Sequence, residues 1–239
     1  MKNRLLKIGK YASLVVVVVF LYAFSNARNA TRKLSEIQVQ FEGNNTALIT
    51  KSMVNKLLIQ SDDSLETIGK EILDLNQMEG LLNRHPMIKN AEIYLTVDGR
   101  LGATVLQRKP IARVSASPSY YIDSDGTKMP LSQVHTVRVP LVSGVDEDNL
   151  TEVQGVLKKL NEDAFMNKHI VGIHVNTDKS LRMYMRKHDL IVEFGKPENI
   201  ENKFRNFKAF YQKTLKDKSL AGYSKINLTV NSQVVATKK

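Results

Sequence analysis

The chain has 239 residues, no cysteine, and a formal net charge of +11 with a pI near 9.7. That length allows one or two domains with buried cores, while the missing cysteine excludes disulfide staples and thiolate chemistry. Lys2, Arg4, Lys7, Lys10, Arg28, Arg32 and Lys33 fall in the first 35 positions with no acid among them, which leaves only +4 on the rest. The charge therefore flanks one segment, where anionic lipid headgroups are the expected partner. Aromatic residues are 7% and do not interleave with basic ones, which argues against a nucleic-acid surface.

Residues 11–27 carry no charge and include Leu14, Val15, Val16, Val17, Val18, Val19, Phe20 and Leu21. Seventeen residues are the low end of what spans a bilayer as a helix, with Lys10 and Arg28 able to snorkel at the ends. A cleaved secretory signal is the competing reading, with Ser25 and Ala27 as its small residues. Either way the remainder is exported, and in the uncleaved reading residues 1–10 stay behind as a cytoplasmic tail.

Ile37, Val39 and Phe41 alternate with polar residues and predict a half-buried strand that ends at Gly43-Asn44-Asn45. Thr50 predicts the cap of a helix with Met53, Val54, Leu57 and Leu58 on one face. After a polar connection through Asp62-Asp63-Ser64, a second helix carries Leu75, Met78, Leu81 and Leu82 and stops at His85-Pro86. Ala91, Ile93 and Leu95, a turn at Asp98-Gly99, and Leu101, Ala103 and Val105 then read as a hairpin. The order is βααββ, and a small sheet with both helices on one face satisfies it. The edge at Ile37 to Phe41, or its neighbour, is a place where a partner strand can add.

Gln107-Arg108-Lys109-Pro110-Ile111-Ala112-Arg113 is a seam, because Pro110 has no N–H and drives Lys109 to an extended conformation. Arg108, Pro110 and Ala112 mark this domain junction. Beyond it, strands are expected at 111–115, 120–123 and 137–142, a helix over 149–163, then strands around Ile170 to Val175, Leu181 to Met185 and Leu190 to Phe194. A longer helix is expected over 198–216 with Ile200, Phe204, Phe207, Tyr211 and Leu215 as its apolar stripe. Ile226, Leu228 and Val230 alternate with Lys225, Asn227 and Thr229 in a last strand, followed by a basic tail at 237–239.

No catalytic motif or cofactor site is visible. His169 and His174, five apart, share no face of a strand or helix, so no metal site is expected. Asp123-Ser124-Asp125-Gly126 reads as a hairpin turn rather than a calcium loop, since the bidentate Glu is missing. Asp146-Glu147-Asp148 sits where a helix N-terminus favours negative charge. The residues alone describe an exported, membrane-tethered binding module and not an enzyme.

Arg108-Lys109-Pro110-Ile111-Ala112, then Tyr121-Ile122-Asp123-Ser124-Asp125-Gly126, then Val139-Pro140-Leu141-Val142-Ser143-Gly144 resemble the FtsQ/DivIB cell-division family. The chain departs from it at Gln107, where many members carry Glu, and at Ile226-Asn227-Leu228-Thr229, where members often read Ile-Asp-Leu-Arg. The resemblance implies an α+β protein: one transmembrane helix, a POTRA-like domain over 34–109, and a strand-rich β domain with two helices over 110–236. It further implies a division-site scaffold in the inner membrane, with its carboxyl-terminal domains outside the cytoplasm. Such a scaffold supports septum formation and links early division proteins to septal peptidoglycan synthesis through FtsB/FtsL-like coiled-coil proteins. No nucleic acid or small-molecule substrate is implied. The expected contact is strand addition along Ser224, Lys225, Ile226, Asn227, Leu228, Thr229 and Val230. A POTRA-bearing envelope chaperone is the alternative reading.

Overall fold

The computed structural model describes residues 2–30, 37–43, 48–60, 74–96, 99–230 and 233–239, with side chains on all of these except 2–8, 26–30, 60 and 147–149. The expected turn at Asn44-Asn45, the connection through Asp62-Asp63-Ser64 and the turn residue Asp98 lie outside the described residues. The chain divides into two compact units, 1–43 with 49–106, and 44–48 with 107–239.

In the first unit, helix α1 runs Lys2–Ala30. The eight consecutive apolar residues from Leu14 to Leu21 are each 55–66% exposed, so the apolar surface goes all the way round. The side chains described on α1 are the seventeen of residues 9–25, and among the described residues no helix is long and apolar enough to cross a membrane. A helix thus underlies the expected anchor, but a membrane span is not itself shown.

The block that follows is built as its pattern predicts: β1 (Ile37–Phe41), α2 (Lys51–Gln60), α3 (Leu75–Asn83), β2 (Ile88–Leu95) and β3 (Leu101–Gln107). The strands lie in the order β1-β3-β2, with β1 parallel to β3 and Val39 opposite Ala103. Thr50 caps α2 by accepting from the Met53 N–H at 3.2 Å, and Asp74 caps α3 by accepting from the Gln77 N–H at 3.0 Å. Val39, Val54, Leu58, Met78, Leu82, Ala91, Ile93, Leu101, Ala103 and Val105 are buried. Asn83 fastens α3 to β2 by accepting the Ala91 N–H at 2.8 Å. The Tyr94 ring packs over Gly102, where a Cβ would push the ring aside.

The second unit contains β4 (Pro110–Val114), β5 (Tyr120–Asp123), β6 (Lys128–Met129), β7 (Leu141–Ser143), α4 (Glu147–Glu162) and α5 (Ala164–His169). It continues with β8 (Ile170–Val175), β9 (Leu181–Met185), β10 (Ile191–Gly195), α6 (Ile200–Lys216), β11 (Tyr223–Asn227) and β12 (Val235–Lys238). Among the described residues they form one nine-stranded sheet, β12-β11-β10-β9-β8-β7-β4-β5-β6. The pairing places Val114, Val142, Ile173, Met183, Val192 and Ile226 side by side across six strands. Each is at most 1% exposed. Val153, Val156, Leu157 and Leu160 of α4 belong to the same core, as do Phe204, Phe207 and Tyr211 of α6. The adjacent side chains Leu141 and Tyr184 are 46% and 39% exposed, so the helices cover one face and the other is open.

Several expectations need correction here. Among the described residues the unit has three α-helices rather than two, because Asp163 accepts from the Phe165 and Met166 N–H groups and starts α5 as a new helix. Residues 137–140 are not strand: Pro140 has no N–H to give, and the Val137 N–H goes to the Tyr121 hydroxyl at 3.2 Å. Leu215 is 54% exposed and leaves the stripe of α6, while Thr214 is buried with its hydroxyl donating to the Phe210 carbonyl at 2.9 Å. Strand β11 ends at Asn227 rather than at Val230, and residues 237 and 238, expected as tail, belong to β12.

Truncating Phe207 to Ala should therefore open a cavity between α6 and the sheet and cost roughly 3–5 kcal/mol. The denaturant midpoint of the full chain reads this loss, whereas Leu215→Ala should leave it almost unchanged.

Candidate partner-binding edge

The expected partner strand, Ser224 to Val230, is placed differently from its sequence reading. Its strand portion, β11, is paired on both sides, parallel to β10 and antiparallel to β12. Ile226 and Leu228 are core, at 0% and 2% exposed. Lys225 points to the open face, where its Nζ lies 3.2 Å from Glu193 Oε1, and Glu193 also pairs with Arg182 at 3.3 Å. Asn227 Oδ1 accepts from both the Thr229 N–H at 2.8 Å and the Thr229 hydroxyl at 2.7 Å. The two positions where the family often has Asp and Arg thus hold a local turn in place of charges. Val230 lies beyond the strand and is 41% exposed.

The sheet ends at β6 on one side and at β12 on the side of β11, and among the described residues no strand pairs with the outer side of β12. Its register is Asn227 opposite Val235, Ile226 opposite Ala236, and Lys225 opposite Thr237, and then it slips so that Tyr223 faces Lys238. Ser224 is the extra residue of that bulge, and its hydroxyl donates toward the Thr237 carbonyl at 3.3 Å. The Leu228 N–H donates to Glu193 O at 2.9 Å, so even-numbered residues at this end of β11 bond toward β10 and odd-numbered ones toward β12. Ala236, opposite Ile226, accordingly turns its N–H and C=O outward. Sequence reading missed β12 because Val235-Ala236-Thr237-Lys238 is short and ends in lysine, a composition that also guards an edge.

Near the start of the second unit, Arg108 and the 123–127 hairpin form an ion-paired turn. Arg108 Nη1 lies 2.7 Å from Asp123 Oδ2, and the Asp123 side chain is only 3% exposed. Asp123 Oδ1 accepts the N–H groups of Asp125 at 3.0 Å and Thr127 at 2.8 Å, which closes the hairpin around Gly126 at φ +80°. The motif read as a turn rather than a calcium loop is thus a carboxylate saturated by backbone and guanidinium. Pro110 opens β4 opposite Asp123, and Ala112 is fully buried. Gln107 is 3% exposed and accepts the Leu48 N–H at 2.8 Å through Oε1, a neutral bond where many family members have a carboxylate.

His174 and His169 make contacts within the second unit. His174 shares a hydrogen bond of 2.9 Å with the Ser143 hydroxyl, while His169 stacks on Phe165 at 4.2 Å and meets Tyr211 edge-on at 5.0 Å. Among the described residues no cluster of His, Asp or Glu could hold a metal ion. A groove of about 620 Å³ between α4 and α6 is lined by Lys159, Glu162, Asp163, Glu201 and Lys208. Its charges pair among themselves, Lys159 with Glu201 at 2.9 Å and Lys208 with Asp163. Burial would raise the Asp163 carboxyl, but hydrogen bonds from Lys208, Met166 and Phe165 outweigh it and hold the group below the ordinary carboxylate range. Burial lowers Lys203, whose Nζ donates to Lys196 O at 2.8 Å and lies 4.6 Å over the Phe194 ring, pinning the turn before α6.

A small βααββ unit followed by a one-sided mixed sheet with helices on one face defines an α+β class of protein. A family model described as FtsQ/DivIB, C-terminal related matches residues 109–237, and one described as POTRA-like domain matches residues 33–106. The chain belongs to the FtsQ/DivIB-related family. It is similar to a cell division protein FtsQ of Salinibacter ruber (strain DSM 13855 / M31), 26% identical over 169 residues, which cover 64% of this chain and 65% of that protein. The chain thus spans less than two thirds of that relative's length.

Two outcomes follow from the charged groups. Asp123→Ala takes the nearer carboxylate from Arg108, leaving Asp125 at 3.8 Å, and frees two N–H groups, and should cost about 2–3 kcal/mol in chemical denaturation. Because the Asp163 carboxyl is lowered in the folded state, its stabilisation is complete above the ordinary carboxylate range and fades as pH falls through the lowered value. Thermal unfolding of Asp163→Asn should accordingly fall less steeply on acidification than that of the natural chain.

Proposed function

We propose that this chain is a single-pass scaffold of the division septum, held in the inner membrane by residues 11–27 with both folded units outside the cytoplasm. It joins early division proteins to septal peptidoglycan synthesis by binding FtsB/FtsL-like coiled-coil proteins through strand addition. It carries out no catalysis of its own. One observation carries this reading: the open edge of β12 lies almost wholly inside the stretch matched by the FtsQ/DivIB model. Partner backbone bonding to Ala236 supplies affinity, and the side chains of Val235 and Thr237, which face out beside Asn227 and Lys225, supply selectivity. This moves the contact one strand outward from Ser224–Val230.

The anchor rests on α1, where apolar side chains exposed on every side need a non-aqueous surrounding, and the basic residues at both ends suit anionic headgroups. The family match over 109–237 weighs against the envelope-chaperone alternative.

Proline at Asn227 or Thr229 is a poor probe, since the Asn227 N–H faces β12 and the Thr229 N–H is bonded to Asn227. Ala236→Pro is the clean one, because it removes an outward N–H from an edge strand that needs none for its own sheet. Co-purification of an FtsB-type protein with the full-length variant should be lost while circular dichroism and thermal midpoint stay as in the natural chain. Retained binding by a folded variant would sink strand addition at β12.

A further inference from the structure

The open face of the nine-stranded sheet carries a row of its own, one residue away from the buried one. Strand pairing sets Arg113 beside Leu141, Leu141 beside Gly172, Gly172 beside Tyr184, Tyr184 beside Ile191 and Ile191 beside Lys225. A cation stands at each end. Between them the side chains are aliphatic or aromatic, and Gly172 adds none. Leu141 is 46% and Tyr184 39% exposed, although both belong to strands in the interior of the sheet. An apolar strip left open on a sheet face is a surface that another layer can cover.

Two observations say what this row lacks. The first is Arg113, whose Nε is shut off from solvent with no acceptor, and whose guanidinium is paired with no carboxylate among the described residues. A half-buried guanidinium without a counter-charge is costly, and an incoming carboxylate removes that cost through charge-assisted hydrogen bonds. The second is the charge balance. Arg182, in the adjacent row of the same face, and Lys225 share one carboxylate, Glu193, at 3.3 and 3.2 Å. The two rows therefore hold three cations, Arg113, Arg182 and Lys225, against one acid. This face is complementary to negative charge.

We propose that this row docks a segment of another protein, apolar at its centre and carrying Asp or Glu at both ends. One terminal carboxylate takes the unpaired Arg113, the other meets Lys225, and the apolar centre covers Leu141, Tyr184 and Ile191. The arrangement selects a polypeptide. A headgroup surface or a charged glycan would meet the two cations but has no apolar side chain to place on the three residues between them. Tyr and Arg are also the residues that most often anchor protein contacts. The ends of the row are five strand spacings apart, roughly 24 Å, which sets the distance between the acids of the segment. The contact is made by side chains on the face, so it uses no strand edge and stands apart from strand addition at β12.

Photocross-linking tests this directly. The full-length chain, with benzoylphenylalanine in place of Tyr184, is expressed at natural level in its own cells and irradiated, and the cross-linked segment is sequenced. The expected product is one polypeptide segment with apolar residues between acidic ones. Arg113→Gln keeps a donor and loses the charge, and should lower the yield about tenfold. Lys225→Gln, altered at an exposed position, should lower it as well. Ala236→Pro should leave it unchanged, and the loss caused by Arg113→Glu should be restored by a lysine at the acid of the segment. Circular dichroism checks that each variant is folded. No polypeptide cross-link, a segment without flanking acids, cross-links confined to lipid or glycan, a yield that neither glutamine variant lowers, or loss with Ala236→Pro would each overturn the proposal.

Discussion

The second unit depends on one row of side chains. Val114, Val142, Ile173, Met183, Val192 and Ile226 come from six neighbouring strands, lie abreast and are shut off from water. A slip of one residue in any strand would turn its member of the row to the open face, so each register is fixed by the burial of its neighbours. Helices α4 and α6 close this face with Leu157, Leu160, Phe204 and Phe207. The same arrangement leaves the opposite face and the last strand uncovered.

That asymmetry links fold to role. Interior strands, including β11, have both sets of backbone groups engaged, so their side chains can only pack or decorate the open face. At β12 backbone groups remain available, and the bulge at Ser224 twists the strand just where the edge ends. In the other unit the edge strands are β1, which follows the segment read as an anchor, and β2. Each unit thus presents edge strands of its own among the described residues.

Local pattern was readable where one periodicity and one cap decided the outcome. The βααββ block was legible because Thr50, the alternation at Ile37 to Phe41 and the return through Leu101, Ala103 and Val105 all agree with the observed structure. The hairpin at Asp123 was legible as a turn, but its burial and its Arg108 partner depend on residues fifteen apart in sequence. The extent of the last strand was misjudged for a related reason. Ile226, Leu228 and Val230 alternate as a longer strand would, but Asn227 folds back on Thr229, and the chain then returns as β12 to occupy the side expected to be free. Leu215 shows the same limit on α6: the pitch allowed it in the stripe, and the extent of the sheet left it outside.

If partners join at the outer side of β12, the backbone there must change its exchange with solvent when they bind. Amide hydrogen exchange on the full-length chain, with and without an FtsB-type partner, reads this residue by residue. The Ala236 N–H should become protected on binding, while the Asn227 N–H, already engaged inside the sheet, should change little. Protection appearing elsewhere, with Ala236 exchanging as before, would contradict strand addition at this edge.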